Sequence, residues 1–276
     1  MPELPEVETV RLTLATKIIG QRIVDIDIRW LPAVITMGSD DAGDFVSHLR
    51  DSVVESLDRR GKYLLINVSK GMTLIVHFRM TGRLVYYPDK HPPAKHTHVV
   101  FYLEDGELHY SDTRKFGRIQ LVPSHQVTCL ACLAKLGPEP LAELFTFDQL
   151  GLRLARKKST IKAAILDQSV VAGLGNIYAD EALFRAGISP SRSTQSLKVS
   201  EIILLYHAIC DVLTMGIAAR GTSFRDYRDG DGSRGSFQDN LMVYGRSGKK
   251  CKICGTALEK TRIIGRTTVY CPECQK

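Results

Sequence analysis

Cys251-x2-Cys254 and Cys271-x2-Cys274, with sixteen residues between the pairs, restrict the end of this chain more tightly than any other feature restricts the rest. Two such pairs at that spacing are the pattern of a four-cysteine zinc site on a β-hairpin. Four thiolates complete a tetrahedral shell and leave no position for a substrate, so the pattern predicts one structural Zn2+ per chain, structural rather than catalytic. Between the pairs, Ile263-Ile264-Gly265-Arg266-Thr267-Thr268 reads as two strands turning at glycine, which puts Arg266 at the hairpin tip. Residues 245–276 carry eight Lys/Arg against two Glu, and four thiolates with one Zn2+ bring the net charge there to +4. A guanidinium on such a tip suits bidentate contact with phosphate.

The other cysteines and the overall charge agree with that reading. Seven cysteines without a signal peptide point to metal rather than disulfides. The chain has 276 residues, 44% of them apolar and 24% charged, which is enough for two globular domains and a small appendage. A net charge of +7 favours a polyanionic partner. No run approaches 18 uninterrupted apolar residues, so no membrane is expected and the place of action is the cytoplasm.

At the start of the chain, Val7, Val10, Leu14 and Ile18 fall at helical spacing between Pro5 and Gly20. Removal of Met1 ahead of the small Pro2 leaves a secondary amine, and a terminal amine titrates near pH 8, about two units below lysine. Glu3 stands beside it as a proton carrier. Period-two runs follow at Val24-Ile26-Ile28, Tyr63–Val68, Leu74–Phe78, Val99–Leu103, Leu108–Tyr110 and Ile119–Val122. Residues 1–123 therefore read as a β-sandwich or flattened barrel with a flanking helix. Lys62 begins one strand directly after Gly61 and, taken alone, reads as a solvated lysine. Residues 124–145 lose periodicity and read as a linker, in which the Cys129/Cys132 pair is structural or incidental. Helical spacing marks residues 146–240, ending in the Gly-, Ser- and Asp-rich stretch 221–240, and the zinc appendage occupies 241–276.

Five segments carry a resemblance along nearly the whole chain. They are Met1-Pro2-Glu3-Leu4-Pro5-Glu6-Val7-Glu8, the turn from His77 to Gly82, Lys95-His96-Thr97-His98, the turn from Asp112 to Gly117, and the fifteen residues from Asp167 to Glu181. Together they resemble the formamidopyrimidine-DNA glycosylases, base-excision repair enzymes of bacteria. The resemblance implies an α+β multidomain fold: an N-terminal β-sandwich with a flanking helix, a C-terminal helical (helix-two-turn-helix) domain and a zinc β-hairpin. It implies a bifunctional glycosylase and lyase that removes oxidised purines, chiefly 8-oxoguanine and formamidopyrimidines, and cuts the strand by β,δ-elimination through a Schiff base on the N-terminal proline.

Site roles follow from the same resemblance. Pro2 is the nucleophile, Glu3 the general acid and base, Lys62 an early proton-transfer aid and Arg266 an aid to the final elimination. Met80, Arg114 and Phe116 fill the gap left by the extruded nucleotide, with Arg114 bonding the orphaned base. His96, Lys157 and Asn176 contact the DNA backbone, and residues 221–240 form a mobile loop that caps the damaged base. Thr81 departs from relatives that carry glutamate there. The partner implied is damaged double-stranded DNA, bound between the domains by a monomer associated with the bacterial nucleoid. Two alternatives stay open: an endonuclease VIII-type glycosylase for oxidised pyrimidines, and a non-catalytic zinc DNA-binding protein.

Overall fold

The structure is a computed structural model in which residues 2–36 and 41–276 are described. Met1, whose removal matters to the chemistry above, lies outside the described residues. The chain packs as two units. The first takes in residues up to Ala134 together with Ala219–Ser236, and the second Lys135–Ala218 together with Phe237–Lys276.

The first unit opens with α1 (Leu4–Ile18), whose Pro5 suits the first turn and whose Lys17 faces the negative helix end. Among the described residues nine strands follow: β1 (Ile23–Ile28), β2 (Val34–Thr36), then after α2 (Ala42–Leu49) β3 (Val54–Arg60), β4 (Tyr63–Val68), β5 (Met72–His77), β6 (Gly82–Tyr87), β7 (Thr97–Leu103), β8 (Glu107–Asp112) and β9 (Arg118–Pro123). They make two sheets, ordered β1-β7-β8-β6 and β2-β9-β5-β4-β3. All pairings are antiparallel except β2 with β9. The core draws Val7, Val10 and Leu14 of α1, Phe45 of α2, and inward residues of both sheets such as Leu64, Val76, Leu84, Val99 and Leu121.

Simple alternation fails at β1. A bulge between Ile23 and Asp25 shifts the register, so Ile23 and Ile26 are buried while Val24 is 46% exposed. After β9 the chain turns through a short helix, α3 (Ala131–Ala134), on which Cys132 lies exposed, as does Cys129 just before it.

The second unit is helical, with α4 (Phe147–Ala155), α5 (Ile161–Leu166), α6 (Asn176–Arg185) and α7 (Val199–Ala218), and it ends in the hairpin β10 (Glu259–Ile263) and β11 (Arg266–Tyr270). Thr146 and Thr160 cap α4 and α5 through their hydroxyls. α7 is long and apolar enough to cross a membrane by length and composition. Its stripe of Leu205, Ile209, Val212 and Leu213 is buried, it packs on α6 and α4, and Asp211 pairs with Arg185. At Gly216, an added Cβ would meet the Tyr178 ring at 2.5 Å, so only glycine lets α7 lie this close to α6.

Candidate active site

Pro2 and Glu3 are both buried at the start of α1. Glu6, 1% exposed, holds two parts of the chain at once. One carboxylate oxygen accepts the Glu3 N–H at 2.8 Å, and the other accepts the Thr222 N–H at 2.7 Å. The Tyr227 hydroxyl donates to the Glu6 carbonyl at 3.2 Å, and Gly230 N–H to the Thr13 hydroxyl at 2.9 Å. Gly221, at φ +82°, leaves room for this approach, since a Cβ there would lie 2.9 Å from Glu6 Cγ. The fully buried Asp229 accepts from Asp231 and Ser233 N–H and pairs with Arg220. Residues 219–236 are thereby fastened to α1, although their place in the sequence follows the helices.

α1 packs on β3 and β4, and the turn between those strands carries Gly61 at φ +57° and Lys62, 9% exposed. Glu8, on the same helix, receives Arg11 at 2.6 Å and Arg59 at 2.9 Å. Burial pushes its carboxyl up, and those two guanidinium groups outweigh burial and leave it below the usual range. His77 is pushed down to about 4 by burial and by the positive Arg79 and Lys62 near it, so its ring is neutral and accepts the Arg79 N–H at 3.1 Å.

The two turns marked in the sequence meet. Arg114 donates to the Met80 sulfur at 2.8 Å, and its guanidinium carbon stands 4.8 Å from the centroid of the Phe116 ring. Met80 and Phe116 are 42% and 51% exposed, so the three side chains form a surface cluster and not the edge of a core. Asp112 organises it: its carboxylate accepts from the Thr81 hydroxyl, from Arg114 N–H at 3.1 Å and from Gly117 N–H at 2.7 Å. Thr81 in turn accepts the Arg114 N–H at 3.0 Å. A hydroxyl that both donates and accepts serves this bridge, and a carboxylate in its place would face Asp112. His96 is half-buried at the mouth of β7, and its carbonyl accepts the Asp112 N–H at 3.0 Å.

In the second unit, Asn176 opens α6 after Gly173, at φ +85°, and Gly175. The Gln168 amide closes the preceding turn onto Gly173 N–H and the Leu174 carbonyl. Asn176 donates to the Thr267 carbonyl at 3.0 Å, which brings the start of α6 beside the residue that follows Arg266. Ile264 and Gly265 both have positive φ, the geometry of a two-residue type I′ turn, so Arg266 sits at the hairpin tip and is exposed. Lys157 is bound to Asp167 at 2.7 Å.

The sequence reading left three residues of this unit without a part. Lys162, fully buried, pairs with Asp180 at 2.6 Å and donates to the Thr268 hydroxyl at 2.7 Å, and Asp180 accepts the Val269 N–H at 3.2 Å. Glu181 accepts from the backbone of Met242, Val243 and Tyr244 at 2.8–2.9 Å. The signal was present in the Asp180-Glu181 pair inside the apolar stretch Ile177–Phe184, where two adjacent carboxylates need buried donors.

The four cysteine sulfurs lie within 4.8 Å of one another. Cys251 and Cys274 are 3.9 Å apart and Cys254 and Cys271 3.5 Å. A tetrahedron with Zn–S bonds near 2.3 Å has edges of about 3.8 Å. The set therefore fits one structural Zn2+. Ile253 and Cys274 N–H groups donate to the sulfurs of Cys251 and Cys271, and Val243, Leu258, Val269 and Phe184 pack behind them.

Comparison with known proteins agrees with this geometry. Residues 1–119 match the formamidopyrimidine-DNA glycosylase N-terminal domain, 136–228 the formamidopyrimidine-DNA glycosylase H2TH domain, and 248–276 the zinc finger found in FPG and IleRS. The chain is 55% identical to the formamidopyrimidine-DNA glycosylase of Desulfitobacterium hafniense, with all of both chains covered. It is 51% identical to that of Pelotomaculum thermopropionicum, covering 100% of this chain and 99% of the relative. Among solved structures it is similar to wild-type Lactococcus lactis Fpg in complex with DNA containing N7-benzyl-Fapy-dG, at a TM-score of 0.92, 38% identity and full coverage of both chains. It is equally similar, at a TM-score of 0.92, to a complex between the Lactococcus lactis Fpg and DNA containing an abasic site. This chain belongs to the formamidopyrimidine-DNA glycosylase family.

Proposed function

We infer that this protein is a base-excision repair enzyme that removes oxidised purines from damaged DNA and cleaves the strand at the resulting abasic site. Similarity over the full length of the chain carries this reading, and the buried Pro2-Glu3 start of α1 agrees with it.

In this reading, Pro2, once Met1 is removed, is a neutral secondary amine that attacks C1′ of the damaged nucleoside. The bond to the base breaks as the base takes up a proton; the Pro2 nitrogen then gives up its own proton, the C1′–O4′ ring bond opens with O4′ taking a proton, and an iminium joins Pro2 to the opened sugar. Its fixed positive charge acidifies the C2′ proton. Loss of that proton expels the 3′-phosphate, and a second elimination expels the 5′-phosphate. Glu3 moves the protons at the sugar, Lys62 assists in the first step and Arg266 in the last. Glu6 holds the Glu3 backbone and Thr222 in place for the reaction. Met80, Arg114 and Phe116 occupy the space of the extruded nucleotide, which lowers the cost of unstacking. His96, Lys157, Asn176 and Arg266 bind the DNA backbone; for Lys157 this requires giving up its pair with Asp167. The substrate is double-stranded, the enzyme acts as a monomer, and its place is the bacterial cytoplasm at the nucleoid.

Borohydride reduction during turnover on an 8-oxoguanine duplex tests this. The expected product is a protein–DNA adduct whose peptide map places the sugar on Pro2, in a protein whose mass lacks Met1. An adduct on another residue, or strand cleavage that survives acetylation of the Pro2 nitrogen, refutes the mechanism. Parallel duplexes carrying an oxidised pyrimidine give the substrate ranking.

A further inference from the structure

Trp30 is the only tryptophan in the chain, and its ring receives Lys115 from the turn Asp112 to Gly117 and Arg118 from just after it. Three side chains bear on its ring. Lys115 Nζ lies 4.9 Å from the ring centroid, the Arg118 guanidinium carbon 5.6 Å, and the His98 ring 4.9 Å at 50°. Each contact reaches a different part of the turn. Lys115, at φ +59°, is the residue between Arg114 and Phe116. Arg118 donates to the carbonyls of Lys115 at 3.0 Å and Gly117 at 2.7 Å. His98, buried, donates through Nε2 to the Asp112 carbonyl at 2.7 Å, and its own carbonyl accepts the N–H groups of Arg29 and Trp30.

We propose that Trp30 is a positioning residue for the reading of the base opposite the lesion. Its indole draws Lys115 to one side, and the side chains on either side of Lys115 then meet each other: Arg114 over Phe116 and against Met80. The left-handed backbone at Lys115 costs energy for a residue with a Cβ, and the cation–π contact with Trp30 offsets part of it. Arg118 and His98 brace the turn from its other end. The ring contacts of Trp30 are with Lys115, Arg118 and His98, so its influence on the three void-filling side chains runs through the turn backbone. This inference rests on the proposed role of Arg114 and adds to it the residue that fixes the aim of its guanidinium.

The test compares 8-oxoguanine excision opposite cytosine and opposite adenine, taking the ratio of kcat/KM for the two duplexes. Trp30→Ala should move that ratio toward one by about five-fold, the loss expected from two exposed cation–π contacts. Trp30→Phe, which keeps a ring face, should restore most of it. Lys115→Met, on the solvent side of the stack, should move the ratio in the same direction without disturbing the core, and it decides the matter if Trp30→Ala does not fold. A lysine that only bound phosphate would weaken both duplexes alike and leave the ratio fixed. Unchanged ratios in Trp30→Ala, or in Lys115→Met, overturn the proposal. Arg114→Ala is run beside them: if it too leaves the ratio unchanged, the reading of the turn as the opposite-base reader has failed, and not merely the part given to Trp30.

Discussion

The Glu6 carboxylate accepts the backbone N–H of Thr222, 216 positions further along the chain, at 2.7 Å. Its other oxygen holds the Glu3 N–H, so one buried side chain ties the amino terminus to the segment 219–236. Glu6→Gln replaces one acceptor by a donor facing an N–H. Loss of a buried bond to a charged group costs about 1.5–3 kcal/mol, felt first where the segment detaches from α1. Limited proteolysis should then cut within residues 219–236 at least ten-fold faster than in the parent protein, a factor matching about 1.4 kcal/mol. Equal cutting rates would show that Glu6 does not hold the segment.

Zinc removal should be felt in DNA binding before it is felt in chemistry at the sugar. The appendage packs a small apolar cluster, Val243, Leu258 and Val269 with Phe184, around the four thiolates on which its shape depends. Structural zinc contributes on the order of 10–16 kcal/mol of apparent folding energy in small zinc modules. Metal analysis should give one zinc per chain, and Cys254→Ser should lose it together with most affinity for duplex DNA. Active protein purified with no zinc would contradict this.

What the sequence made legible were features that repeat at short range. The four-cysteine spacing, the alternation of Tyr63–Val68 and the Gly173–Asn176 helix start all reappear at their expected residues. What it left hidden depends on contacts between distant positions. The β1 bulge changes which of Ile23 and Val24 faces the core, and nothing local announces it. Glu6 is legible from its position as a residue of the helix entry and of local hydrogen bonds, but its partner Thr222 is not. Residues 219–236 follow α7 in the chain but pack on α1, because Glu6 and Thr13 supply the acceptors their backbone needs. Thr81, read as a departure from relatives, has a place once Asp112 and Arg114 are seen on either side of its hydroxyl.

The buried Lys162–Asp180 pair fixes the hairpin to the start of α6, since Lys162 also holds Thr268 and Asp180 holds Val269. Burial pushes the Asp180 carboxyl up to about 6 in spite of the lysine beside it. Removing one partner leaves a buried uncompensated charge, so Lys162→Met should destabilise the unit by about 3–5 kcal/mol. The double substitution Lys162→Met, Asp180→Leu should recover much of that stability. Recovered stability without recovered DNA binding would separate hairpin position from folding. A single variant as stable as the double would remove the pair from the account.

His77 makes the first unit sensitive to mild acid. Burial, Arg79 and Lys62 hold its pKa near 4, against 6.5 for an exposed imidazole. Between those values the unfolded chain binds a proton that the folded chain refuses, so stability is fully present above pH 6.5 and is lost as the pH falls toward 4. The full shift is equivalent to at most about 3 kcal/mol. Denaturant titrations from pH 7 to pH 4.5 should show the parent protein losing stability that His77→Gln keeps, because glutamine offers an acceptor to the Arg79 N–H without a proton to gain. Carboxylates such as Glu8, held below their usual range, also lose stability on acidification, but lower on the pH scale and equally in both proteins. The difference between the two titration curves therefore isolates the imidazole, and parallel curves would mean that His77 takes up its proton in the fold as readily as in the unfolded chain.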